Sequence, residues 1–160
     1  MLLEGKILLL LIIANGAPIL LLKLLDGRCA WALDGGRVWP DGRPWLGPSK
    51  TWRGVAGALL AGALAGWGLG LGAGTGLQAG AMTMLGDMLS SFLKRRLGVP
   101  SSGMALGLDQ VPESLLPLLW LKTEWRLGYG EVLGLVLAFL VLELALSRVL
   151  YRLHVRREPY

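Results

Sequence analysis

The chain has one cysteine, Cys29, and one histidine, His154, in 160 residues. A single thiol excludes an intramolecular disulfide and a four-cysteine metal site. A single imidazole close to the C-terminus argues against multi-histidine zinc sites and histidine-led triads. Charge is scarce as well, at 17% of residues. What fills the chain is 54% hydrophobic residues and 24 glycines in long Leu/Ala/Gly runs, the composition of an integral membrane protein. The length predicts a single domain, 1–160.

Five apolar segments stand out: Ile7–Leu25, Val55–Leu71, Gly74–Leu93, Val111–Leu121 and Val132–Leu150. A helix crosses a bilayer with about 20 residues. The first, third and fifth segments meet that length, the second at its lower limit, and the fourth falls short. The expected fold is therefore all-α and polytopic, with about five transmembrane helices and a polar cavity on the cytoplasmic side. The first segment reads as a retained helix, because Glu4 precedes it and its run outlasts a signal h-region. A bend is expected at Asn15-Gly16-Ala17-Pro18, since Pro18 has no N–H for its helical bond. Asn15 is either part of that kink or a polar group facing a cavity.

Charge placement orients the chain. With five spans, Lys23, the connection 26–53, the connection 94–108 and the C-terminal tail share one side and hold 13 of the 16 basic residues. The positive-inside rule makes that side cytoplasmic, with the N-terminus outside and the C-terminus inside, in the cytoplasmic membrane. Trp31, Trp39, Trp45 and Trp52 fall on the cytoplasmic side, and Trp120 and Trp125 near the other face. Gly62, Gly66 and Gly70, and again Gly72, Gly76 and Gly80, recur every four residues. Small residues at that spacing let helix backbones approach closely in lipid. The glycine-rich turn Gly68–Gly76 lacks a βαβ setting and a lysine, so it reads as a helix-packing hairpin, not a phosphate loop.

Against this frame the polar residues carry the chemistry. Asp87 lies inside an apolar run, where a carboxylate costs about 2.5–3.5 kcal/mol at a helix centre and marks function by default. Asp87, Ser90, Ser91, Lys94 and Arg95 share one helical face. Lys94, Arg95 and Arg96 alone could be headgroup anchors, but anchoring does not explain Asp87. Asp109 and Glu113 are four apart and face one way if the fourth helix starts early; helix capping would account for either one singly. Three carboxylates with hydroxyls, and no imidazole or thiol, form a hard oxygen set suited to Mg²⁺. Cations beside such an ion are what phosphoryl or nucleotidyl transfer requires. A phosphate acceptor is already anionic and needs no general base. The Gly/Pro-rich first connection adds Ser49, Lys50, Thr51 and Arg53 at the start of a helix, a favourable place for an anion.

Three pieces in order carry a resemblance: Asp41-Gly-Arg-Pro…Leu46-Gly-Pro-Ser-Lys-Thr-Trp-Arg-Gly54, Gly86-Asp87…Ser91-Phe-Leu-Lys-Arg-Arg-Leu-Gly98, and Leu108-Asp109-Gln110. The chain resembles the CDP-archaeol synthases, the small polytopic branch of the CTP-dependent lipid cytidylyltransferases that also includes the CDP-diacylglycerol synthases. The resemblance implies transfer of CMP from CTP to a lipid phosphate, with Mg²⁺ as cofactor. It implies Asp87, Asp109 and Lys94 as catalytic residues. Ser49, Lys50, Thr51, Arg53, Ser91, Arg95 and Arg96 would bind nucleotide and phosphate, and Asp87 and Asp109 the metal, to which the reading of the residues adds Glu113. One departure concerns Glu113. Relatives often place a second Asp three residues after the first in the Leu-Asp motif, whereas here Val-Pro intervenes and Glu113 follows at four. Expected partners are CTP, a lipid phosphate, the membrane and a second copy in a homodimer, with no nucleic acid. Phosphatidic acid as acceptor, a CTP-dependent lipid kinase and a non-enzymatic transporter are the alternatives. The transporter predicts acidic groups spread through the bilayer depth, not gathered beside cations.

Overall fold

The structure, a computed structural model, describes residues 2–25, 28–101, 103 and 105–153. His154 and the basic Arg156 and Arg157 lie outside the described residues, as does Asp26. The described residues form five helices: α1 (Leu3–Leu24), α2 (Trp52–Gly68), α3 (Ala73–Arg96), α4 (Gln110–Trp120) and α5 (Tyr129–Arg152). No strand occurs among the described residues, only isolated pairings of Ala32 with Thr51 and of Val38 with Pro44.

Helix ends follow local chemistry. Thr51 caps α2, its hydroxyl accepting from the Gly54 amide at 3.2 Å. The Glu131 carboxylate accepts from the Gly128 amide at 2.6 Å and so starts α5 three residues before its apolar run. At the other end of α3, Lys94, Arg95 and Arg96 complement the helix dipole, and the helix runs through all three. It stops in a Schellman turn: Val99 donates to the Lys94 carbonyl, Gly98 donates to that of Arg95, and Gly98 sits at φ +77°. α1 passes through the Asn15–Pro18 tetrad as one helix, with Pro18 inside it and packed against Gly54.

The helices close into a ring in chain order, each packed on the next and α5 returning to α1, while α3 also touches α1. The largest contact is α2 on α3. Its backbones meet at Gly62, Gly66, Gly76 and Gly80; a Cβ on Gly80 would lie 2.6 Å from the Ala58 carbonyl oxygen. Gly70 and Gly72, at φ +72° and +94°, form the turn between the two helices, so the first glycine series ends at Gly66. Gly76→Leu is expected to force α2 and α3 apart. The loss would exceed the roughly 1–3 kcal/mol of ordinary overpacking, because the obstruction is backbone. A melting curve in detergent checks it, and an unchanged midpoint would refute the close approach.

The burial pattern is inverted relative to a water-soluble protein. Leu60, Leu64, Leu133 and Val141 are each more than 60% exposed, whereas Ser90, Ser91, Ser114, Lys94, Arg95 and Glu113 are buried. One apolar core joins Ile7, Leu10 and Leu11 of α1 to Leu118 of α4 and Val132, Leu135, Val136 and Phe139 of α5. It occupies the end of the ring near the N-terminus of α1, leaving the other end to the polar side chains of α3. Two helices, α1 and α5, are long and apolar enough to cross a membrane by length and composition.

Candidate active site

The polar end is built around two ion pairs. Lys50, just ahead of α2, places its Nζ 2.5 Å from Asp87 Oδ1 of α3. Lys94, two turns further along α3, places its Nζ 2.6 Å from Asp109 Oδ1 and also donates to the Gly103 carbonyl at 3.2 Å. Glu113, buried at the start of α4, lies close enough to Asp87 for the two to interact. This contact depends on Gly86: a Cβ there would meet Pro112 and lie 2.7 Å from Glu113 Cα, so only glycine lets the start of α4 lie on α3. Burial alone would pull the Lys50 pKa down, but Asp87, Glu113 and Asp109 outweigh it and the net shift is upward from 10.5. Lys50 is therefore a fixed positive charge facing three carboxylates.

The expected metal set divides. Asp87 and Glu113 meet, while Asp109 lies against Lys94 and anchors its own loop by accepting from the Ala105 amide at 3.1 Å. Among the described residues, no three His, Cys, Asp or Glu side chains form one metal-holding group. The donor set nevertheless suits a hard cation. Two adjacent carboxylates are tolerable only with positive charge beside them, and the Lys50 ammonium supplies it here.

The remaining predicted residues lie on α3 and around the start of α2. Ser91 and Arg95 are buried on the same face of α3 as Lys94. Arg95 donates to the Pro100 carbonyl at 2.9 Å. The Ser49 hydroxyl accepts from that of Ser101 at 3.2 Å, tying the loop before α2 to the loop after α3. The Thr51 side chain is engaged as the α2 cap, and Arg53 donates to the Arg28 carbonyl. Arg96 turns away from the ion pairs and clamps the first loop. It reaches Asp41 Oδ1 at 2.8 Å and the Pro44 carbonyl at 2.6 Å, with its guanidinium over Trp39 and Phe92. Arg43 reciprocates onto the Arg96 carbonyl at 2.6 Å, capping α3.

Asp34 and Gly47 hold this loop in shape, and neither was singled out as a site residue in the sequence. Asp34 Oδ2 accepts from the Leu46 and Gly47 amides at 3.0 and 2.9 Å, and Oδ1 from Gly36 at 3.0 Å. Gly47 is buried at φ +91°, with a Cβ position 3.2 Å from Ser101 Oγ. Desolvation would raise the Asp34 pKa, but the Gly47, Leu46 and Gly36 amides outweigh it and hold it below 3.8. A carboxylate with a lowered folded-state pKa stabilises above its unfolded value and loses that contribution as pH falls through the folded one. The loop is thus expected to stay closed above pH 3.8 and to open on further acidification. Asp34→Ala should open it already at neutral pH. Amide exchange at Gly47 checks both; equal protection in the variant would count against the staple.

The family question is decided by comparison with known proteins. No family model matches the chain. It is 32% identical over 160 residues to the CDP-archaeol synthase of Thermococcus kodakarensis, covering 92% of this chain and 89% of that one. It is 38% identical over 142 residues to that of Hyperthermus butylicus, covering 85% and 80%. The chain belongs to the CDP-archaeol synthase family. The synthase from Pyrobaculum calidifontis is 34% identical over 153 residues, covering 92% and 91%. A solved intramembrane enzyme for archaeal membrane lipids biosynthesis superposes with a TM-score of 0.76 at 31% identity, over 92% of this chain and 94% of that one. With its lipid-facing leucines and buried charges, this member of the family is an integral membrane protein.

Proposed function

We propose that this chain transfers the cytidylyl group of CTP to the phosphate of a membrane lipid, giving a CDP-lipid and pyrophosphate. The observation that carries the reading is the Lys50–Asp87–Glu113 cluster beside the Lys94–Asp109 pair, in a chain of this family. A lipid phosphate oxygen attacks the α-phosphorus of CTP. The new P–O bond forms as the bond to the β-phosphate oxygen breaks, and pyrophosphate leaves with that electron pair. Lys50 and Lys94 meet the charge on the phosphates, and Arg95 adds a third cation on the same face. Asp87 with Glu113, and Asp109 across from them, are the residues to hold Mg²⁺, which would neutralise the triphosphate. The first loop, stapled by Asp34 at Gly47 and clamped by Arg96 at Asp41, leads into Ser49–Arg53, which covers the nucleotide.

We place all five helices in the bilayer, with the polar end forming a cavity on the cytoplasmic side, the N-terminus outside and the C-terminus inside. The bias of basic residues toward the loops at that end supports this orientation. The shortness of α4 supports it too. Eleven residues rise about 16 Å, roughly half the hydrocarbon core, and α4 begins beside Gly86, well inside α3. The connection before it would descend into the protein at membrane depth, where irregular backbone must be buried or line a cavity.

Purified protein in detergent, given labelled CTP and Mg²⁺, is expected to yield CDP-lipid from a diether or a diacyl glycerol phosphate. Separate arms for the two acceptors identify the preferred one. Absence of product from both would end the cytidylyltransferase reading.

A further inference from the structure

Beyond the ion pairs, the α1–α5 contact contains polar groups that the reaction above does not use. The two helices touch sparingly, and a cleft opens between them. Its walls are apolar, with Ile12, Phe139 and Leu146, but it also holds Asn15, Glu143 and Ser147. Asn15 carries the only side-chain amide of α1, and no hydrogen-bond partner for it occurs among the described residues. At Gly16, next to it, a Cβ would meet nothing within 4 Å, so the space is open.

Two features connect this cleft with the proposed reaction centre. Asn15, Asp87 and Glu143 each lie nine residues before the ends of their helices at Leu24, Arg96 and Arg152. On a rise of about 1.5 Å per residue each lies roughly 14 Å from its helix end. The charge of Glu143 also reaches Glu113, which interacts with Asp87. Glu143 of the cleft thus interacts electrostatically with a carboxyl group of the reaction centre.

Resting on the cytidylyl-transfer reading, we propose that the α1–α5 cleft seats the acceptor lipid at its glycerol–chain linkages, with Asn15 donating to an ether or ester oxygen. Those linkage oxygens accept hydrogen bonds and donate none, so an amide N–H matches them. The chains lie along the apolar walls and leave the protein sideways into the bilayer. The headgroup is then directed inward to Lys50.

The test uses the full chain in nanodiscs and a glycerol phosphate lipid carrying a diazirine on the first carbons of its chains, in diether and diacyl arms. Crosslinks are expected within 12–19 and 139–150; crosslinks confined to other helices would overturn the proposal. Location is read without turnover, so labelling of the cleft with no CDP-lipid formed would sustain the site and reject the reaction. Asn15→Leu is expected to raise KM for the lipid about tenfold, the worth of roughly one hydrogen bond, with KM for CTP unchanged. Gly16→Phe should fill the cleft and raise it further while labelled CTP still binds. Equal lipid KM in wild type and Asn15→Leu would sink the assignment, whether or not Gly16→Phe folds.

Discussion

Replacing Asp87 with asparagine is expected to lower CDP-lipid formation about a thousandfold while leaving the protein folded. The substitution keeps shape and removes one charge at the point where Lys50, Glu113 and Asp109 converge. Removing a single group that stabilises transition-state charge typically costs a factor of 10²–10³. Loss of a carboxylate suited to the metal as well places the effect at the upper end, about 4 kcal/mol of activation free energy. Stability should change little, because Lys50 retains two other carboxylates and the Ser90 hydroxyl bonds the backbone of residue 87, not its side chain. The contact with Glu113 also becomes less repulsive. Steady-state kinetics with a parallel melting curve decide it. Activity within tenfold of wild type would remove Asp87 from the reaction, and a collapsed midpoint would make it a structural charge.

The sequence located this carboxylate but not its partners. Asp87 is visible because charge inside an apolar helix is costly, and that argument needs no tertiary information. The same argument applies to Glu143, alone in the apolar run of α5, and the site readings passed over it. Glu113 departs from the family's motif spacing, yet the start of α4 still packs onto α3 because Gly86 admits it. A one-residue departure in spacing is absorbed when the helix backbone itself can move inward.

Helix bounds were legible to within a few residues wherever apolarity marks them. They were missed where caps extend a helix beyond its apolar run: Glu4 in the first turn of α1 and Glu131 at the start of α5. The basic triplet illustrates what remains hidden. Lys94, Arg95 and Arg96 are adjacent in sequence and equal in charge. The turn of the helix sends Lys94 to Asp109, Arg95 to the Pro100 carbonyl and Arg96 outward to the first loop. Only the position of Asp41 and Trp39, more than fifty residues earlier, separates Arg96 from its two neighbours.

Lys50→Met is expected to cost both activity and stability, and Lys50→Arg to separate the two. The methionine leaves Asp87 and Glu113 adjacent with no ammonium between them and the Asp109 side. Breaking a buried pair costs about 3–5 kcal/mol. With side-chain exposures of 19% and 18%, the Lys50–Asp87 pair belongs at the low end of that range. The pH dependence follows from the raised pKa. A cation whose folded-state value is raised stabilises fully below its unfolded value and loses that contribution as pH rises through the folded one. The gap in melting temperature between wild type and Lys50→Met should therefore hold steady up to about pH 10.5 and close above it. Added Mg²⁺ should raise the melting temperature of Lys50→Met more than that of wild type, because it restores positive charge to the carboxylates. Lys50→Arg keeps the charge and hence most of the stability. Its planar fork does not reproduce the compact ammonium contact on Asp87, so activity should stay at least a hundredfold down. Full activity in the arginine variant would reduce Lys50 to a counterion, and equal Mg²⁺ stabilisation of wild type and Lys50→Met would place the metal elsewhere.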